Sequence, residues 1–129
     1  MTVAYLIRTL LTTASITASV NYMDFTVTDA IAVMDTGGMA SDYTHGTSPA
    51  IDDNPSFQIL IHNASKVTAD GIIDSILATL DGKMNVVSGT VTFIEIRQSS
   101  PAIYLGRVQT DKGETNEYSL NFNAKLRRN

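Results

Sequence analysis

Apolar residues recur along the chain in two periods, one helical and one extended, and together they outline its elements. From residue 56 to 97 the pattern reads strand, helix, strand. Phe57-Gln58-Ile59-Leu60-Ile61 is a short apolar run after Pro55, the length of a buried strand. The period then changes. Val67, Ala69, Ile72, Ile73, Ile76, Leu77 and Leu80 recur at helical spacing and predict one broad apolar face. Ser65 or Asn63 supplies the cap, because a side-chain oxygen there accepts from a backbone N–H that the helix leaves unpaired. Asp70 adds negative charge near the positive end. Gly82 stands where a left-handed residue ends a helix. Thr90-Val91-Thr92-Phe93-Ile94-Glu95-Ile96-Arg97 returns to strand. Its apolar phase slips between Phe93 and Ile94, which predicts a bulge or burial on both faces.

On either side of this unit the signals vary in strength. Residues 2–14 read as an amphipathic helix, with Val3, Leu6, Ile7, Leu10, Leu11 and Ala14 on one face, Arg8 and Thr9 opposite, and Thr2 as cap. Val20, Tyr22 and Met23 give a weak strand signal within 16–25. Ala30-Ile31-Ala32-Val33-Met34 is a better strand, stopped by Asp35-Thr36-Gly37-Gly38. Residues 37–54 then read as a long polar loop, with Met39, Tyr43 and Ile51 as its large apolar or aromatic residues. A loop of that length is often functional or ordered by a partner, the alternative being a plain mobile loop. Ser99-Ser100-Pro101 breaks the chain, 102–109 is a strand weakened by Gly106, and Asp111-Lys112-Gly113 is turn chemistry. Residues 117–127 alternate cleanly. Tyr118, Leu120, Phe122, Ala124 and Leu126 face one way; Glu117, Ser119, Asn121, Asn123, Lys125 and Arg127 face the other. This is a half-buried strand, antiparallel to its neighbour through the turn.

The sum is a single α+β domain spanning 1–129, a size that buries roughly two-thirds of the unfolded surface. Its expected sheet is mixed, mostly antiparallel, of four to six strands, with two helices packed on one face. The link from 57–61 to 91–96 is long enough for a right-handed crossover, which predicts a parallel part of the sheet.

Composition narrows the function. The chain has no cysteine, which excludes disulfides and thiolate metal sites. A net charge of −4 argues against wholesale electrostatic binding to nucleic acid. The charge is unevenly spread. From Asp24 to Asp81 there are nine Asp against one basic residue, Lys66; from Gly82 onward seven Lys or Arg stand against four acids. Opposite-sign faces suit solvation, or a head-to-tail contact between copies. The apolar start lacks a basic residue ahead of its run and is interrupted by Arg8, so neither a signal peptide nor a membrane span is expected. Asn63-Ala64-Ser65 fits a glycosylation acceptor but reads better as helix-capping chemistry.

Catalytic signatures are missing. No Gly-rich phosphate loop opens a helix, and no nucleophile elbow or paired-carboxylate motif is present. His62 ends a strand beside Asn63. His45 lies in the long loop near Asp42, Asp52 and Asp53, at a spacing that fits no ligand frame. The expectation is therefore a protein without catalytic residues, metal or cofactor, and not an enzyme. Aromatic and basic residues coincide only in the last strand, where Tyr118 and Phe122 take the face opposite Lys125 and Arg127. That is a core plus a solvated face rather than an oligonucleotide platform.

One resemblance adds to this. The segments Pro55 to Ile61, Leu80-Asp81-Gly82, Pro101-Ala102-Ile103-Tyr104-Leu105-Gly106, the Gly113 turn and the alternating Tyr118 to Arg127 strand follow the residue 2–14 helix in order. This order resembles the tail-terminator or minor-capsid proteins of long-tailed bacteriophages. The turn departs from that pattern, with Arg107 after Gly106 and Glu114 after Gly113.

The resemblance implies a virion structural protein that forms a hexameric homo-oligomeric ring. Such a ring caps the tail tube protein at the head-proximal end, docks to the head–tail connector protein, and lets DNA pass through its lumen without specific binding. Assembly would take place in the host cytoplasm. The expected subunit or partner interface draws on Arg97, Arg107 and Arg127 and on Asp42, Asp52 and Asp53. The alternatives are a connector or tail-tube protein of the same virion, or an unrelated small α+β ligand-binding domain.

Overall fold

The clean alternation read in the last strand extends further than the sequence pattern marks, and the resulting strand runs through the middle of the molecule. The computed structural model describes residues 2–43, 51–88 and 90–128. The elements in chain order are α1 (Val3–Thr13), β1 (Ser19–Val20), β2 (Ala30–Tyr43), β3 (Ile51–Asn63), α2 (Lys66–Leu80), β4 (Lys83–Ser88), β5 (Val91–Gln98), β6 (Ile103–Thr110) and β7 (Gly113–Arg128). One edge of β7 pairs with β3 from Asn116↔Asn63 to Arg127↔Asp52. Its other edge is shared end to end, by β6 up to Ser119↔Ile103 and by β5 from Phe122↔Gln98 onward.

The described residues thus form an α+β fold with two helices and a mixed sheet of seven strands, ordered β1-β2-β3-β7-β5-β4 with β6 beside β7. This exceeds the expected four to six. The unforeseen strand is β4, a mostly exposed edge element whose Asn85 sits at a φ of 56°. An edge strand buries little, so it needs no apolar period to declare it. The expected parallel crossover is not adjacent pairing either. Segments 57–61 and 91–96 point the same way, but β7 lies between them and is antiparallel to both. The parallel pair is instead β1 on β2, through Ser19↔Ala32 and Val20↔Val33.

The long polar loop is corrected as well. β2 runs on to Tyr43 and β3 begins at Ile51, with Gly38↔Pro55, Asp42↔Asp52 and Tyr43↔Ile51 in register across two irregularities. Backbone hydrogen bonds carry a strand whatever its side chains, and β3 also has β7 as a template on its far side. Gly38 shows why glycine is needed there. It adopts a φ of 129°, and a Cβ on it would sit 2.2 Å from the Asn54 carbonyl oxygen. Residues 44–50, with His45, lie outside the described residues.

Register sorts the strands into two faces. Val33, Phe57, Ile59, Ile61, Tyr118, Leu120, Phe122, Ala124 and Leu126 share one. These residues join Leu6, Ile7 and Leu11 of α1 and Ala69, Ile73, Ile76 and Leu80 of α2 in a single hydrophobic cluster. The Phe57 and Phe122 rings stack at its centre, 5.0 Å apart and 7° from parallel. The slip in β5 is a bulge between Phe93 and Glu95, which lets both Phe93 and Ile96 reach the core.

The helix ends are tied to the sheet. Thr2 makes no side-chain cap. Asp35, in register with Phe57, accepts from the Ala4 N–H at 2.9 Å in its place. Burial opposes the Asp35 charge, but hydrogen bonds from Asn21, Ala4 and Thr2 outweigh it and hold the carboxyl below its ordinary range. At α2, Ser65 accepts from the Thr68 N–H as expected, and Gly82 closes the helix at a φ of 73°. Val67 is 83% exposed rather than core-facing, because α2 first meets the sheet at Ala69.

Phe122→Ala removes one half of the central stack and leaves a cavity on the strand to which three others are bonded. We expect a loss of about 3–5 kcal/mol in unfolding free energy, read from urea denaturation.

Candidate functional site

Along β7 the second face of the sheet is polar, while Leu60, Ala32 and Met34 share that face on β3 and β2. On β7 it carries Glu117, Ser119, Asn121, Asn123, Lys125 and Arg127, and on β3 Ser56, Gln58 and His62. Alternation along two neighbouring strands is enough to gather these side chains. They bond to one another across the strands. Ser56 donates to the Asn123 side-chain amide oxygen at 2.8 Å and the Gln58 amide to Ser119 at 2.7 Å; along β7 the Asn121 amide donates to Ser119 at 3.2 Å. Asn54, Glu95, Arg97, Asn123 and Lys125 line a shallow groove of about 350 Å³ on the same sheet.

Charged groups on this face come in opposite-sign neighbours. Arg127 grips Asp52 with two bonds, Nε to Oδ1 at 2.7 Å and an Nη to Oδ2 at 3.0 Å. The two residues are exact register partners on β7 and β3, so the fork meets the carboxylate squarely. The Arg127 hydrogen bond is the main cause that holds the Asp52 carboxyl below its ordinary 3.8; burial opposes it, and the positive charges of Arg127 and Lys125 add to it. The Arg97 guanidinium contacts Glu95, which stands opposite Lys125.

At the other end of the face, His62 is buried. Its Nε2 lies 2.7 Å from Glu117 Oε2, and the Phe25 ring meets it edge-on at 5.5 Å. The segment 21–29 holds this end down. Its Phe25 and Thr28 carbonyls accept from the Asp111 N–H and the Thr115 hydroxyl, and Asp29 accepts from the Ala64 N–H. Among the described residues, no group of three His, Asp or Glu is placed to hold a metal ion, and no helix is long and apolar enough to cross a membrane.

Of the six charged residues singled out in the sequence, Arg97, Arg127 and Asp52 fall on this face by register, with Asp42 paired opposite Asp52 on β2. Arg107 and Asp53 fall on the other, opposite Asn116 and Leu126. Arg107 pairs with Glu114 at 3.0 Å and keeps 65% of its side chain exposed. Sequence reading did not foresee the amide and hydroxyl ladder. Its signal was the run of Ser119, Asn121 and Asn123 at every second position of the last strand, which pairs with Ser56 and Gln58 only once the register is known.

Against this geometry the comparison with known proteins is decisive. A family model described as bacteriophage tail terminator protein matches residues 5–128, nearly the whole chain. The chain belongs to the bacteriophage tail terminator family. Membership makes it a component of the phage tail. No curated protein matches the chain in sequence. The match runs from within α1 to the end of β7 in this tail terminator.

Arg127→Ala strips Asp52 of its partner. We expect lower stability than wild type above pH 3.8, where the carboxylate is ionised in both folded and unfolded chains. The folded Asp52 value is depressed, so its contribution is present above the unfolded value and lost as pH falls through the folded one. The gap between variant and wild type, followed by urea denaturation across pH, should therefore narrow in acid.

Proposed function

We propose that the protein closes the tail tube as a homohexameric ring at the head-proximal end of the tail. There it contacts the tail tube protein below and the head–tail connector protein above, and DNA crosses its lumen without specific binding. The ring assembles in the host cytoplasm and works by shape and contact, with no catalytic step. The observation that carries this reading is the family match over residues 5–128.

The charge pattern of the second face supports a particular orientation. A lumen must not hold DNA, and each unbalanced cation near a phosphate adds salt-dependent affinity. Here Arg127 is matched by Asp52 and Arg97 by Glu95, and amides and hydroxyls fill the space between. In this reading the polar face lines the lumen. Both helices cover the Phe57 face and turn it outward, consistent with their shared hydrophobic cluster. Of the charged residues expected at the interface, Asp52 and Arg127 satisfy each other within the chain. Arg97 and Arg107, 74% and 65% exposed, lie at the surface beside Glu95 and Glu114.

The test is native mass of the purified protein at moderate salt, with negative-stain images of the same fraction. The expected result is a species near six times the 13.9 kDa chain, with ring-shaped particles. A monomer that stays monomeric and leaves isolated tail tubes uncapped would overturn the reading.

A further inference from the structure

Two unlike apolar surfaces lie at opposite edges of the sheet. The first is a ridge on β6, which pairs with β7 on one side only. Ile103, Tyr104 and Leu105 are consecutive there and 44%, 44% and 50% exposed. Ile103 stands opposite Ser119 of the polar face, Tyr104 opposite Tyr118 of the apolar face, and Leu105 falls in the irregularity before Gly106. The ridge therefore shows apolar groups on both sides of an unpaired strand edge. A flat partner covers one side of such an edge; covering all three residues takes a partner that wraps it.

The second surface is a cleft of about 560 Å³ between α1 and the 17–31 segment, on the β1 side of the sheet. Tyr5, Tyr22 and Val27 line it and are all exposed, Tyr22 by 63%. The Arg8 guanidinium lies over the Tyr5 ring, 4.2 Å from its centre. Exposed tyrosines with a stacked arginine are the composition of a binding hot spot. Asp24 and Asp29 complete the lining and give it net negative charge. Hydrogen bonds from the Thr26 hydroxyl and N–H keep the Asp24 carboxyl well ionised. Lys66 brings a cation to the ridge. The Lys66 ammonium sits 5.0 Å over the Tyr104 ring, and Arg107 follows two residues after Leu105, next to its partner Glu114.

We infer that the β6 ridge of one copy seats in the α1/17–31 cleft of the next, with Lys66 facing Asp24 and Asp29. The two surfaces differ, so the contact is heterologous and every copy keeps one of each to pass the contact on. Lying at opposite sheet edges, they join copies side by side. This rests on the ring reading above and names the surfaces that would close it.

The experiment uses two variants of the full chain, Leu105→Glu on the ridge and Tyr22→Glu in the cleft, each checked for native fold by circular dichroism. Both side chains are at least half exposed, so neither change opens a cavity. Each variant alone should be monomeric where wild type forms rings. Mixed in equal amounts, they should give a heterodimer of twice the monomer mass, because one intact ridge then meets one intact cleft. Ile103→Glu replaces Leu105→Glu if the latter fails to fold. Rings retained by folded variants, or a mixture that stays monomeric while wild type forms rings, would overturn the inference and leave the ring itself standing. A wild-type chain that never associates, even on tail tubes, would overturn both.

Discussion

Among the described strands, all but β1 are bonded, directly or through one neighbour, to the two edges of β7. Its sixteen residues pair with β3 along one edge and with β6 and β5 in succession along the other. A strand saturated on both edges cannot slip without breaking three ladders at once. A slip of one residue would also turn Leu120 and Phe122 into the polar face and Ser119 and Asn121 into the core. The stack of Phe57 on Phe122 and the ladder from Gln58 to Ser119 are thus two consequences of one register. The same register aligns Asp52 with Arg127, seventy-five residues apart in sequence.

Legibility in the sequence followed burial. The last strand, α2 and α1 bury one side against the core and expose the other, so their periods announce them. The bulge in β5 was readable for the same reason, since Phe93 and Ile96 both had to reach the core. The extensions of β2 and β3 were not. Gly37, Gly38, Pro55, Asp52 and Asp53 are turn and loop residues by composition, yet the backbone there is held by β7 and by its own hairpin partner. Side chains vote on local structure only where they have a core to bury in. Edge strand β4 was missed on the same principle, and Val67 was overcounted because helical spacing says nothing about where the sheet ends.

The candidate site was legible in part. The arginines and aspartates were identifiable as charged groups of opposite sign in different halves of the chain. Their partners were not, because a cross-strand ion pair depends on register rather than on spacing. Asp35 makes the same point at a helix end. Thr2 was the local candidate for a cap, but the sheet brings to the Ala4 N–H a carboxylate that the Asn21 amide also holds in place.

That internal pairing bears on how copies of the chain meet. A charge already matched within its own subunit gains little from a second partner, because both of the original ions must first be partly released. Asp52 with Arg127 and Glu95 with Arg97 are matched in this way, on the polar face. Among the described residues, exposed apolar groups stand along the sheet edges: Ile103, Tyr104 and Leu105 on β6, Met84 and Val87 on β4, and Tyr5, Tyr22 and Val27 on the β1 side. Soluble chains seldom leave such groups clustered on an unpaired strand unless something covers them. The division of labour then follows from β7 itself. One of its faces makes the core, and the other balances its charges.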